Sequence, residues 1–133
     1  MINVSRETYR EVMCMYKKGD IILYKVKKSG EENVFKGKHL AVVVSNDKHN
    51  LSSNTLLIVP LSSKVHKANY KFNILMKRTE EGIEKPLNKD SICLIGQLQT
   101  ISLNNVIKKI SSIDTTSRFY KYLIRKICNF IND

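Results

Sequence analysis

A chain of 133 residues, 42% hydrophobic and 26% charged, has the balance of a folded protein and the length for one compact core. Its 23 Lys and Arg against 12 Asp and Glu give a formal charge of +11, spread from Lys17 onward rather than held in a tail. This excludes a disordered basic arm, and no apolar run approaches the ~20 residues that span a bilayer. A polyanion partner is expected, nucleic acid first. Met1–Tyr16 is neutral, carries Glu7 and Glu11, and lacks the basic-then-apolar order of a signal peptide, so the chain reads as cytoplasmic with no membrane contact. Cys14, Cys93 and Cys128 are odd in number and far apart. They read as reduced, mostly buried thiols rather than a disulfide framework or a zinc site.

In chain order, Val4, Thr8, Val12 and Met15 share a helical face, which predicts a short N-terminal helix. Gly19-Asp20 breaks that pattern. Ile21–Lys27 reads as a strand with Ile21, Leu23 and Lys25 on one face and Ile22, Tyr24 and Val26 on the other. Lys27–Lys38 is a polar loop with Gly30, Gly37 and one apolar anchor, Phe35. Leu40–Ser45 and Thr55–Leu61 are short, β-branched apolar runs, hence buried strands, joined by a turn-rich loop over Asn46–Asn54. Ser62–Asn69 is a basic loop, Tyr70–Met76 a half-exposed strand, and Lys77–Lys89 a charged connection with Gly82 and Pro86. Ser91–Ile95 is a strand running into Gly96, and Gln97–Ile101 can continue extended. Ser102 can cap a short helix over Leu103–Lys109. A C-terminal helix follows, capped by Thr115, Thr116 or Ser117, with Phe119, Leu123, Ile127 and Phe130 as its apolar stripe. Arg118, Lys121 and Arg125 lie opposite much of that stripe. Tyr120, Tyr122 and Ile124 exceed what one stripe needs, which points to a second contact surface such as a dimer interface.

Five short strands without intervening crossover helices exclude βαβ units. They predict an α+β fold: a small, curved, antiparallel SH3-like barrel with a C-terminal helix and short additional helices. One domain over 1–133 is expected, with an extension over 1–16, a core over 17–113 and the helix over 114–133.

His39, His49 and His66 are not paired at metal-ligand spacing, and the chain lacks a phosphate-binding glycine loop and a G-x-S-x-G elbow. No cofactor is expected. One nuclease chemistry remains open, because RNA carries its own nucleophile in the 2′-OH. It requires a proton acceptor, a proton donor for the leaving 5′ oxygen, and cations or hydrogen bonds for the phosphorane charge. Histidine suits the proton steps near neutral pH, and Lys, Arg, Ser or Thr the charge.

Four segments occur in order: Lys17-Lys18-Gly19-Asp20-Ile21-Ile22; Gly37 to Asp47, with Leu40-Ala41-Val42-Val43-Val44-Ser45-Asn46-Asp47; Asn54 to Lys64, ending Pro60-Leu61-Ser62-Ser63; and Asp90-Ser91 through Gln97-Leu98-Gln99-Thr100-Ile101. Their order and spacing resemble the MazF/PemK/Kid family, the toxins of toxin–antitoxin modules, from Lys17 to about Ile110. The resemblance implies an SH3-like barrel that forms a homodimer. It also implies a metal-independent endoribonuclease that cuts single-stranded RNA, such as mRNA, at short sequences to a 2′,3′-cyclic phosphate, and an acidic antitoxin that covers the groove.

By that resemblance the family's catalytic threonine falls on Ser62, which keeps the hydroxyl. Its catalytic arginine falls on His39, so either His39 does acid–base work with Lys38 supplying charge, or the site is weakened. Gln97 falls on the family glutamine and is expected to support the groove; Gln99 stands where the family has arginine. Ser63, Lys64, His66, Lys67, Tyr70 and Lys71 mix cations with an aromatic, the pattern for phosphate contacts and base stacking. Asn46 and Asp47 are expected to fix the turn after the second strand. Two alternatives stay open: a non-catalytic RNA- or antitoxin-binding module on the same fold, favoured by the arginines lost at His39 and Gln99, and a CcdB-like poison of a protein target, against which the absence of tryptophan weighs.

Overall fold

A computed structural model of the chain describes residues 16–26 and 37–132. The expected N-terminal helix, Gly30, Phe35 and Cys14 lie outside the described residues. The described residues form seven strands: β1 (Asp20–Val26), β2 (Gly37–Val43), β3 (Thr55–Ser62), β4 (Asn73–Met76), β5 (Ser91–Leu94), β6 (Gln99–Ser102) and β7 (Val106–Ser112). Among the described residues two α-helices accompany them, α1 (Asp47–Ser52) and α2 (Arg118–Asn132). Every described pairing is antiparallel, in the order β4-β5-β3-β2-β1-β7, with β6 also on β3. The architecture is α+β, as the spacing of the strands predicts.

Two apolar clusters fill the two faces of the sheet. Ile21, Val42 and Val59 join Phe119, Leu123 and Ile127 of α2 in one. Ile22, Tyr24, Val43 and Ile58 gather with Ile101 in the other. Strand β1 therefore buries both faces, which its continuous apolar run Ile21–Tyr24 requires. Pro60 is buried in β3 and has no N–H for a ladder. It lies where β3 changes neighbours, since pairing to β6 ends at Ile58 and pairing to β5 begins at Leu61.

The Gly19-Asp20 start has a steric cause. Gly19 adopts φ +93°, and a Cβ there would meet Ile113 O at 2.6 Å. Its N–H donates to Val43 O and its carbonyl accepts from Ile113 N–H, both at 2.8 Å, so the chain threads between β2 and the segment after β7. Asp20, buried, accepts from Lys17 N–H at 2.9 Å and pairs with Lys109 at 3.5 Å.

Three expectations on the elements are corrected. Asn46–Asn54 is not all loop: the Asn46 side chain accepts from His49 N–H at 2.8 Å and caps α1. Asp47 accepts from Lys18 N–H at 3.0 Å, so both residues do fix this turn. Leu103–Lys109 is not a helix. Ser102 does cap, accepting from Asn104 N–H at 3.2 Å, but the cap supports a single 3-10 turn over Leu103–Asn105. The β-branched Val106, Ile107 and Ile110 then enter β7, which pairs with β1 across two irregularities of register. Finally, Tyr120 is buried in the core, and Ile124 packs against it. Of the helix residues assigned to a second surface, Tyr122 alone is exposed, because Tyr120 widens the buried stripe. The expected cap resolves to Ser117, whose Oγ accepts from Tyr120 N–H at 3.2 Å. Of the two cysteines described, Cys93 is buried and Cys128 is exposed on α2.

Candidate functional site

Strands β2 and β3 build the site. Ala41, Val42 and Val43 pair with Pro60, Val59 and Ile58. The pairing ends at Ala41 and Pro60: His39 and Ser62 each lie two residues beyond this last pair, where β3 turns to β5 and Ser62 pairs with Ile92. His39 and Ser62 both line one groove of about 1020 Å³, together with Lys38, Ser63 and Lys64. Gln97 and Gln99 form part of its wall, the Gln99 side chain donating from Nε2 to Gln97 O at 3.2 Å.

His39 is half-buried and pairs across the strands with Tyr24, their ring centroids 6.2 Å apart. Burial lowers its pKa, which favours the neutral imidazole at neutral pH. Neutral imidazole can accept a proton, so His39 is suited to a base's role rather than a fixed cation's. Ser62 Oγ accepts from Lys64 N–H at 3.1 Å. That bond uses a lone pair and leaves the hydroxyl proton to donate.

The structure adds residues that the sequence reading does not single out. Lys25 lies directly across the β1–β2 ladder from Lys38, and both line the groove. Lys89 and Asn88 reach it from the 77–89 connection. Buried Leu87 anchors that segment through two hydrogen bonds with Arg78: its N–H donates to Arg78 O and its carbonyl accepts from the side-chain Arg78 Nε, each at 3.0 Å. Among the described residues, four lysines (Lys25, Lys38, Lys64 and Lys89) and no carboxylate line this groove. Like charges directly opposite on a ladder destabilise a sheet, so a carboxylate-free wall beneath such a pair is electrostatically primed for an anion.

The remaining candidates lie elsewhere. Tyr70 and Lys71 line a second hollow of about 430 Å³ with Phe72 and Phe130. His66 is exposed on the 3-10 turn Val65–Asn69 and lines neither concavity; Lys67 belongs to the same turn. Among the described residues no three His, Cys, Asp or Glu come together as a metal group, and no helix is long and apolar enough to cross a membrane.

A search of curated protein sequences finds no match. Among solved structures, the chain is similar to MazE-MazF (Form-II) from Deinococcus radiodurans, with a TM-score of 0.66 at 11% identity over 88% of this chain and 96% of that one. It is also similar to Mycobacterium tuberculosis toxin MazF-mt6, with a TM-score of 0.57 at 11% identity over 84% and 96%. At that identity these likenesses show a shared fold. Residues 17–119 match the family model described as PemK-like, MazF-like toxin of type II toxin-antitoxin system, and the chain belongs to that family.

Proposed function

We propose that the protein is an endoribonuclease toxin that cuts single-stranded RNA in the groove between His39 and Ser62 without a metal ion. The observation that carries this reading is the groove itself: an imidazole whose pKa burial lowers and a hydroxyl line it together with four lysines and no carboxylate among the described residues. The 2′-OH attacks the adjacent phosphorus and the bond from phosphorus to the 5′ oxygen breaks. The products are a 2′,3′-cyclic phosphate and a 5′-OH. His39 takes the 2′-OH proton, and its protonated form can return a proton to the leaving oxygen. Ser62 donates a hydrogen bond to a phosphate oxygen, and Lys38 with Lys64 offsets the phosphorane charge. Ser63, Gln97 and Gln99 contact the strand. The chain acts as a homodimer in this reading, and an acidic antitoxin, complementary to the basic groove, neutralises it.

Incubation of the protein with a long RNA in EDTA, with end mapping, tests this. Cleavage to cyclic-phosphate ends, lost in both His39→Ala and Ser62→Ala, is the expected result. Metal-dependent cleavage, or cleavage retained in both variants, overturns it. A second reading, a non-catalytic RNA-binding module, draws on exposed, neutral Gln99 and on an imidazole that burial holds neutral. Intact RNA with retained binding would select it. Growth arrest with intact, unbound RNA would point to a protein target.

A further inference from the structure

We propose that the hollow formed by Tyr70, Phe72, Gly96 and Phe130 is a nucleobase subsite, holding one base of an RNA strand that extends beyond the groove. This rests on the reading of the groove as an RNA site.

The hollow has the chemistry of a stacking platform rather than of a core edge. Tyr70 is 68% and Phe130 41% exposed, each presenting an aromatic surface to solvent. Phe72 meets Phe130 edge-on, with centroids 5.2 Å apart and planes at 75°, and so holds that ring in place. Two cations flank the rings. Lys71 Nζ lies 5.1 Å and Lys126 Nζ 6.0 Å from the Phe72 centroid, and Lys126 also donates to Lys71 O at 3.4 Å. Aromatic surface beside paired ammonium groups is the combination that binds a base and its phosphate without reading sequence. No carboxylate lines the hollow among the described residues.

Position selects the occupant. Leu94 and Gln97 line both the hollow and the groove, so one wall serves both. A strand leaving the groove past Gln97 meets Tyr70 and Phe130 next. Gly96 leaves room between the two. A Cβ there would touch only the Phe130 ring, at 3.9 Å, and the backbone is not left-handed, so a side chain could occupy the hollow without strain.

The test uses the full chain and a fluorescent single-stranded RNA with 2′-deoxy at the mapped scissile position, in long form and trimmed to the nucleotides that fill the groove. Wild type is expected to bind the long form about tenfold more tightly, within the range of one base–aromatic stack. Tyr70→Ala and the hollow-filling Gly96→Leu remove that gain and leave the trimmed RNA unchanged. An abasic site at the extra nucleotide weakens wild type but not Tyr70→Ala. Equal losses for both lengths, or an abasic effect that persists in Tyr70→Ala, overturn the subsite. So does lost binding of a poly-Glu peptide with unchanged RNA binding, which assigns the hollow to an acidic protein. A changed oligomeric state in Phe130→Ala overturns it by making the hollow a face between copies. If wild type binds the trimmed RNA with no gain from the long form, the subsite alone fails; if it binds neither, the groove reading fails as well.

Discussion

The four groove lysines make a quantitative prediction about salt. Each phosphate that a lysine neutralises on a single strand contributes about −0.7 to the slope of log affinity against log salt. Lys25, Lys38, Lys64 and Lys89 together set a slope of about −2.8. Raising salt from about 50 to about 200 mM should then weaken binding about 50-fold. The assay is fluorescence anisotropy of a non-cleavable RNA across that range. Lys25→Ala and Lys38→Ala should each flatten the slope by about 0.7, and the double variant by about twice that. Lys48→Ala, on exposed α1 and outside the groove, should leave it unchanged. Folding supplies an internal control. Lys25 and Lys38 face one another on the ladder, a like-charge contact that costs up to about 1 kcal/mol, so removing one should keep or raise the melting temperature. A wild-type slope shallower than about −1, or slopes unchanged in both lysine variants, refutes the assignment of these cations to phosphate.

Three further outcomes are expected. Burial holds the His39 pKa below the ordinary histidine value and the neutral form is the base, so kcat/KM should rise with pH along a limb centred below 6.5. His39→Ala should abolish that limb and cost about 10²–10⁴ in rate; a limb centred above 6.5 contradicts the assignment. Gly19→Ala should cost at least about 2 kcal/mol in urea denaturation, from left-handed strain and a clash with the Ile113 carbonyl, whereas Gly37→Ala, at φ +120° with nothing within 4 Å, should cost about 1. Equal costs would refute the steric account of the Gly19-Asp20 start. In a Cys14→Ser background at pH 8, exposed Cys128 should react readily with Ellman's reagent. Cys93, fully buried with its thiol pushed up to about 12, should react only in denaturant.

Local periodicity told true where the local signal and the tertiary contacts agreed. Phe119, Leu123 and Ile127 recur at helical spacing, and all three are buried on α2. Phe130 continues the same spacing yet is 41% exposed, because the last turn of α2 carries it to the edge of the hollow, beside Phe72. Over 103–109 the two signals conflicted. A correct serine cap argued for helix, while the pairing partner of Val106–Ser112 lies more than 80 positions earlier in β1. No window along the chain contains that contact, so the cap outweighed the β-branched residues after it.

The site divides in the same way. His39 and Ser62 were nominated through their likeness to a family pattern, and the strands that carry them are neighbours that bring both to one groove. Lys25 and Lys89 were not, because their place depends on a cross-strand partner and on a loop docked through Leu87. On the proposed reading, these lysines bear on the arginines that the family pattern has at His39 and Gln99. A guanidinium offers a planar fork that grips a phosphate through two parallel bonds, whereas an ammonium acts as a mobile point charge. The groove thus keeps ample positive potential while giving up rigid bidentate positioning. Attraction of the RNA strand should survive that exchange almost intact, since it depends on summed charge. In the proposed reaction, alignment of the 2′-OH with the scissile bond depends on fixed geometry, which that reading assigns to Ser62, at the end of β3, and to the half-buried ring of His39 against Tyr24.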